Sequence, residues 1–206
     1  MNVMRHLFAL IAPLILFSGC IGTTDFYGRS LEPKSLIEFE LYDHNNDPFN
    51  LSDIVSDVIM VGFIHTSCGE ECDNLTAFMA QSFDLLTDKE QKRVSLVSIT
   101  TDPWHDDSSR LNYYMMNNSV EWPHLTVRDI NSELGMMESV WASFGTSVEI
   151  SENQSKSMAR CSIHLMDYTV NHTYHVILID DERNTRVQWL YSCLLYTSDA
   201  ADDLIG

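Results

Sequence analysis

The sequence predicts an α/β fold with three layers, in which helices pack on a central mixed sheet that ends in a β-hairpin. Apolar runs of strand length at Val58–Ile64, 93–100 and 174–179 are typical of strands buried on both faces. Segments with the apolar spacing of a helix follow the first two runs. The turn cluster 180–184 separates the third run from the alternating segment 185–191, which predicts an antiparallel hairpin. This alternation of strands and helices indicates a layered α/β domain.

The elements before the first buried run are shorter. Residues 36–42 alternate between apolar and polar side chains and predict a half-exposed strand. A turn cluster at 43–48 leads into 49–53, which is predicted to be a short extended or capping segment. The helix that follows Val58–Ile64 is predicted over about 71–87.

Downstream, the predictions rest on caps and breaker residues. In chain order we expect a helix capped within 101–109, a short strand at 122–127, a helix capped by Asp129 or Asn131 and ended by Gly145, and a polar loop over 146–162.

The two ends of the chain differ in composition from its middle. Residues 1–20 have a mildly basic start, an apolar stretch too short for a comfortable membrane span, and a lipobox-like end at Cys20. We therefore expect an exported lipoprotein with Cys20 lipidated; an ordinary signal peptide or an uncleaved anchor are the alternatives, and each permits disulfides. The predicted organisation is a signal peptide (1–20), a tether (21–35), the folded domain (36–191) and a tail of doubtful nativeness (192–206).

Composition excludes some classes of function. With 45% hydrophobic residues the chain can bury a full core, which argues against disorder. The formal net charge of −18 argues against a nucleic-acid partner, because binding to phosphates needs Lys and Arg. An acidic surface can attract cationic partners or metal ions, or simply maintain solubility.

Cysteine chemistry is concentrated at one place. Of five cysteines, Cys20 belongs to the leader and Cys193 to the doubtful tail. The remaining three, Cys68, Cys72 and Cys161, can form at most one disulfide among themselves. Cys68 and Cys72 lie where the buried strand gives way to a helix N-terminus, which lowers the pKa of a thiol. A thiolate is both a nucleophile and a soft metal ligand, so the residues alone leave both roles open.

Three motifs in order resemble one family. They are Gly62-Phe-Ile-His-Thr-Ser-Cys-Gly-Glu-Glu-Cys72, Val97-Ser-Ile-Thr-Thr-Asp-Pro103 followed by Asp106, and Tyr168-Thr-Val-Asn-His-Thr173 followed by Val176-Ile-Leu-Ile-Asp180. Over roughly residues 36–191 the chain is similar to the SCO/SenC family, whose plan is thioredoxin-like. The resemblance implies a membrane-tethered copper protein that helps assemble the binuclear copper centre of cytochrome c oxidase.

The resemblance also implies a site, a cofactor and partners. Copper would be bound by Cys68, Cys72 and His172, a donor set that suits Cu(I) and can also bind Cu(II). The implied partners are the cytochrome c oxidase subunit that carries the binuclear copper site, a copper donor protein and the membrane. The implied location is the outer face of the cytoplasmic membrane.

The sequence departs from the family pattern near these residues. Gly69 and Asp73 stand where the family usually has a proline after each cysteine, and Asn171 replaces the usual aspartate before the histidine. Glu70 and Glu71 place carboxylates beside the thiols, which disfavours thiolate but favours a bound cation.

Other assignments stay open at this point. Cys68 and Cys72 could instead be the redox pair of an exported thiol–disulfide reductase or thiol peroxidase, for which His172 would not be required. A redox-inactive binding module is a third possibility.

Several further side chains have two interpretations each. His175 is expected to be a core or surface histidine, and His65 a supporting group or an alternative ligand. Cys161 with His164 could form a separate site. Asp102 and Asp106 are expected to cap a helix rather than to bind metal, with docking of a partner as a further alternative.

Overall fold

The structure, a computed structural model, describes residues 28–152 and 168–192. It contains ten strands: β1 Arg29–Ser35, β2 Glu40–Tyr42, β3 Pro48–Asn50, β4 Val58–Ile64, β5 Val94–Thr100, β6 His124–Leu125, β7 Val148–Glu152, β8 Tyr168–His172, β9 His175–Ile179 and β10 Asn184–Leu190. Its α-helices are α1 Glu70–Asp84, α2 Asp88–Gln91, α3 Ser108–Asn117 and α4 Ile130–Phe144, with a 3-10 turn at Leu51–Asp53.

Six strands form the central sheet in the order β1-β10-β9-β4-β5-β6. Strands β4, β5 and β6 run parallel, whereas β9 pairs antiparallel with β4 and with β10. The sheet is therefore mixed and closes with the β9–β10 hairpin, which confirms the predicted three-layer α/β class. The pairs β2–β3 and β7–β8 form two further small sheets.

Strand β4 divides the core because its alternate side chains point to opposite faces of the sheet. Ile59, Val61 and Phe63 pack in one cluster with α4 and the β2–β3 segment. Ile64 belongs to a second cluster, formed with α1, α3 and Val176. The sheet is thus covered on both faces, and the end of β4 lies at the centre of the molecule.

The ends of α3 and α4 carry the expected capping chemistry. The Asp129 side chain accepts a hydrogen bond from the backbone N–H of Asn131 and caps α4. Gly145 ends the same helix in the left-handed region, with φ +70°. Helix α3 is capped by Asp107, whose side chain accepts the N–H of Arg110. The expectation that Asp102 and Asp106 are helix caps is therefore wrong.

The structure corrects two further boundaries. Residues 29–35 fall in the segment predicted to be a tether, but they form the edge strand β1, paired with β10. The predicted loop 146–162 contains strand β7, which pairs antiparallel with β8 along its whole length. The domain thus begins before residue 36, and the strand that pairs with β7 ends at His172.

Some predictions fall outside the described residues: the signal peptide, lipobox and Cys20, Cys161 with His164, and the tail from Cys193. Within the described parts of the chain, no helix has the length and apolar character that a membrane crossing requires.

Candidate metal centre

The two cysteines lie at the junction between β4 and α1. Cys68 belongs to the short turn after β4 and is half-buried, whereas Cys72 lies in the first turn of α1 and is fully buried. Between them, Gly69 is the N-cap of α1 and has φ +84° and ψ −146°, a conformation that is open to glycine but strained for other residues. This turn brings the Cα atoms of the two cysteines to 5.8 Å.

Cys68 and Cys72 are joined by a disulfide in this structure. Neither sulfur is therefore a thiolate in this form, and a metal could bind to both only after the bond is reduced. Reduction takes two electrons and two protons and yields two thiols, which must then lose protons to act as strong ligands. The structure thus shows the site in its oxidised state.

His172 approaches the cysteines from the two-stranded β7–β8 sheet. It is the last residue of β8 and pairs with Val148 of β7. Its Nε2 atom lies 3.7 Å from the Sγ atom of Cys72, and its Nδ1 atom lies 3.1 Å from the carbonyl oxygen of Thr173. Because a carbonyl can only accept, Nδ1–H is the donor and the Nε2 lone pair faces the sulfur. This is the arrangement that metal-binding histidines usually have.

Burial keeps the His172 ring neutral. The side chain is enclosed, and burial is the main cause that lowers the pKa of His172 to about 3, with a further lowering by nearby His65. The hydrogen bond to the Thr173 carbonyl acts in the opposite direction. At neutral pH the imidazole therefore carries no proton on Nε2 that a metal would have to displace.

His65 is a second buried imidazole at the same place. Its ring lies 5.4 Å from the ring of His172, in an edge-to-face arrangement. The donor atoms of His65, Cys68 and His172 all lie within 4.8 Å of one another. The sequence placed His65 only as a supporting group or an alternative ligand. The structure places its donor atom in one cluster with those of Cys68 and His172.

Asp106 anchors the turn that carries Cys68. The carboxylate is fully buried and accepts hydrogen bonds from the Thr66 backbone N–H at 3.0 Å and the Thr66 hydroxyl at 2.5 Å. It also accepts the Thr100 hydroxyl, from the end of β5, at 2.7 Å. One carboxylate thereby ties the turn after β4 to the neighbouring strand, and sequence reasoning had not given it this role.

Asp102 makes a matching contact to the strand that bears His172. The Tyr168 hydroxyl, at the start of β8, donates to Asp102 at 2.9 Å. Burial is the main cause that raises the pKa of Asp102, and the neighbouring Asp106 adds to this effect. Both aspartates of the second motif therefore support elements of the site from inside the protein.

The other predicted residues lie apart from this cluster or at its surface. His175 is a core histidine of β9, bonded to the Thr146 hydroxyl at 2.8 Å, which confirms the expectation. Glu70 and Glu71 are exposed in the first turn of α1, where acidic side chains complement the helix dipole. Beside the turn, a cavity of about 640 Å³ is lined in part by Thr66, Gly69 and Asp73.

The sequence of this chain matches a known protein family. A family model described as SCO1/SenC matches residues 29–201. The chain belongs to the SCO1/SenC family. The family assignment from motifs is thus confirmed, and it covers nearly all of the chain that the structure describes. A search of curated proteins gives no match.

Solved structures share the fold of this SCO1/SenC protein. The apo Sco1 protein of Thermus thermophilus has a TM-score of 0.67 at 20% identity, covering 89% of this chain and 97% of that one. A SCO1/SenC family lipoprotein from Bacillus anthracis gives 0.60 at 20% identity, with 78% and 88% covered. Copper-bound ScoI of Arabidopsis thaliana gives 0.61 at 18% identity, with 75% and 87% covered. The thioredoxin-like fold is therefore confirmed.

Proposed function

We propose that this protein is a copper-binding assembly factor that carries copper to the binuclear copper centre of cytochrome c oxidase. Copper is its cargo, and Cys68, Cys72 and His172 are its ligands. The observation that carries the proposal is the 3.7 Å approach of His172 Nε2 to Cys72 Sγ, between two separate elements of the fold. Two family-level facts support it: Sco proteins are cytochrome c oxidase assembly proteins, and ScoI of Arabidopsis thaliana binds copper.

The donor set fits copper. Two thiolates and one imidazole are soft and borderline ligands, which suit Cu(I) and can also bind Cu(II). The His172 ring is neutral and oriented, so that only the two sulfurs must change before copper binds. The disulfide gains two electrons and two protons, and the resulting thiols then lose their protons to the solvent as copper binds. Since the disulfide occupies both sulfurs, reduction of Cys68–Cys72 is the step that makes the site available.

Unequal burial of the sulfurs suggests how copper is passed on. Cys72 is fully buried, whereas Cys68 is only half-buried. An incoming ligand of the recipient would therefore replace Cys68 first, while Cys72 and His172 still bind the ion. Transfer by stepwise ligand exchange needs one accessible ligand of this kind. The recipient is the oxidase subunit with the binuclear copper site, and a copper donor protein loads the reduced site by the reverse exchange.

The proposed setting is the outer face of the cytoplasmic membrane. Export by the N-terminal segment and lipidation at Cys20 would tether the domain there, close to a membrane-bound oxidase. The family includes a lipoprotein from Bacillus anthracis, which supports this arrangement. Labelling of the expressed full chain with a fatty-acid probe, compared with Cys20→Ser, tests it. Labelling that survives the substitution would exclude lipidation at Cys20.

Copper titration tests the ligands. The reduced protein should bind one Cu(I) per chain in competition with a chromophoric chelator. Cys72→Ser and His172→Ala should each weaken binding at least tenfold, which equals about 1.4 kcal/mol. His44→Gln changes a half-buried histidine elsewhere and serves as the control. If His172→Ala binds copper as tightly as the parent and His44→Gln, His172 is not a ligand.

A second candidate function is thiol–disulfide reduction. The observation in its favour is the disulfide itself, which has one half-buried, attackable sulfur at Cys68 and one buried sulfur at Cys72. The thiolate of a dithiol donor would attack Cys68, forming a mixed disulfide and releasing Cys72 as thiolate. The second thiol of the donor would then displace Cys68, which leaves the donor oxidised and both cysteines reduced, and the reduced pair would reduce a substrate disulfide by the reverse exchange. A reductase should turn over with a dithiol donor in the absence of metal and should tolerate His172→Ala. Loss of copper binding without loss of turnover in that variant would separate the two functions.

A further inference from the structure

We propose that His65 is a fourth donor to the metal, so that the reduced site offers two sulfurs and two imidazole nitrogens. The inference deepens the proposed function and rests on it, because it concerns the same copper ion. It adds a residue that the family resemblance does not assign, since the motifs single out only the cysteines and His172.

The position of the ring is the first argument. His65 directly follows β4 and is 5% exposed, so its imidazole is enclosed by protein rather than solvated. The donor atoms of His65, Cys68 and His172 are mutually within 4.8 Å. A metal ion bound to a sulfur and to His172 would therefore have the His65 ring at its side. The ring need not cross the protein to reach it.

One nitrogen of the His65 ring lacks a hydrogen-bond partner in the described residues. Nε2 of His65 is buried and has no hydrogen-bond partner anywhere in residues 28–152 and 168–192. A buried polar nitrogen that forms no bond destabilises the fold, so such atoms are few and often serve a ligand. The other nitrogen is occupied, because Nδ1 lies 2.9 Å from the Ser67 hydroxyl.

In both histidines Nδ1 has a hydrogen-bond partner that orients the ring. In each ring Nδ1 bonds to a group one or two residues further along the chain: the Thr173 carbonyl for His172, and the Ser67 hydroxyl for His65. In each ring Nε2 is the nitrogen left for the site. The Thr173 carbonyl can only accept, so it fixes both the tautomer and the orientation of His172. The Ser67 hydroxyl can donate or accept, so its hydrogen bond fixes the orientation of the His65 ring.

Anchoring of the turn is the third argument. Thr66, the neighbour of His65, donates both its backbone N–H and its hydroxyl to the buried carboxylate of Asp106. The backbone at His65 is thereby fixed to the main sheet, while Cys68 follows two residues after Thr66. A ligand on so fixed a backbone loses little freedom on binding.

A second imidazole changes which copper ion the site prefers. Thiolates select Cu(I), whereas imidazole suits the divalent ion as well. Removing His65 should therefore weaken binding of Cu(II) at least tenfold and binding of Cu(I) by a smaller factor. In this way His65 would let the protein hold copper in both oxidation states within one site.

Pulsed electron paramagnetic resonance on the Cu(II)-loaded full-length protein, reduced beforehand and handled without oxygen, tests the inference. The remote ring nitrogen of each bound imidazole modulates the signal, and two imidazoles give combination lines that one does not. The parent and His44→Gln should show two bound imidazoles, while His65→Phe and His172→Ala should each show one.

The possible outcomes separate the two proposals. One imidazole in the parent, unchanged in His65→Phe and lost in His172→Ala, would overturn the role of His65 and leave the proposed function intact. Absence of copper–thiolate absorption bands in the parent would overturn both. The count in the parent needs no substitution, so a poorly folding His65→Phe does not remove the test; in that case His65→Gln replaces it.

Discussion

Nε2 of His172 lies 3.7 Å from Sγ of Cys72, although the two residues are 100 positions apart in the sequence. One belongs to the β7–β8 sheet and the other to helix α1, so the contact depends on the complete fold. The sulfur is at the same time bonded to Cys68. The contact therefore links the protein's redox state to its capacity for metal.

The first prediction concerns that link. Copper should bind stoichiometrically to the reduced protein and at least a hundredfold more weakly to the oxidised one, because both sulfur ligands are then unavailable. Parallel titrations of protein pretreated with a dithiol or with an oxidant, both freed of reagent, measure the ratio. The Cys68→Ser/Cys72→Ser protein should match the oxidised parent under both treatments. Equal affinities of oxidised and reduced parent would contradict the assignment of the cysteines as ligands.

The second prediction concerns the packing of α1 on β4. Gly62 lies beneath Met79, and a Cβ atom added at Gly62 would come within 2.5 Å of the Met79 sulfur. Gly62→Ala should therefore destabilise the protein by about 1–3 kcal/mol, since α1 or Met79 must shift. Urea unfolding measures the loss. Gly135→Ala is the matched control, because that glycine lies in α4 with open space around it and should gain roughly 0.5–1 kcal/mol.

A Met79→Ala background provides a check on this explanation. Shortening the side chain removes the closest atom that the new methyl group would meet. The additional effect of Gly62→Ala should fall to less than half in that background. An undiminished effect would mean that the close approach to Met79 is not its cause.

The third prediction concerns the buried carboxylate of Asp106. It accepts two hydrogen bonds from Thr66 and one from Thr100, and His105 Nδ1 lies 3.0 Å from its Oδ1 atom. In Asp106→Asn one accepting oxygen becomes an NH₂ donor and the negative charge is lost, so the hydrogen bonds that the carboxylate accepts are weakened or reversed, at a cost of about 1–3 kcal/mol. Asp107→Asn is the control, because asparagine caps a helix as well as aspartate does and stability should change little.

Asp106→Asn should also loosen the turn that carries the cysteine site. Hydrogen exchange of the Thr66 amide, which donates to this carboxylate, should become faster than in Asp107→Asn. Unchanged exchange together with unchanged stability would show that Asp106 does not anchor the turn.

The fourth prediction concerns pH. His124 is fully buried, and burial lowers its pKa to about 4, with a further lowering by His44. The unfolded chain binds the proton near pH 6.5, whereas the folded protein resists it until about pH 4. The stability contributed by the neutral ring is therefore complete above pH 6.5 and is lost as the pH falls toward 4.

Urea unfolding at pH 7.5 and pH 5 measures this loss. For His124 alone it should amount to roughly 2 kcal/mol. In His124→Phe the difference between the two pH values should be smaller than in the parent by about that amount, whatever the variant's stability at pH 7.5. An identical difference in both proteins would show that His124 does not titrate on unfolding.

Local signals made much of the fold predictable. The apolar run of β4 and the helical spacing of α1 place the cysteine junction correctly, because both patterns depend only on neighbours in sequence. The cap at Asp129 and the stop at Gly145 are equally local. The sequence did not predict the pairing of β7 with β8, because each strand has only five residues and the pair forms a sheet separate from the central one. The alternation in Val148–Glu152 was the available signal.

The missed parts of the site depend on long-range contacts. Nothing near His65 in the sequence shows that its ring meets His172, since the approach is created by β8 folding against the end of β4. Asp106 resembles a helix cap in sequence because it stands one residue before the true cap, Asp107. Its burial against Thr66 and Thr100 becomes visible only in three dimensions.

Gly69 constrains how this sequence can change over time. Its φ of +84° is out of reach for proline, whose ring fixes φ near −65°. The proline that relatives usually have after the first cysteine could therefore not be restored by one substitution without rebuilding the turn between Cys68 and Cys72. Substitutions that keep the shape of this turn are therefore expected at positions other than residue 69.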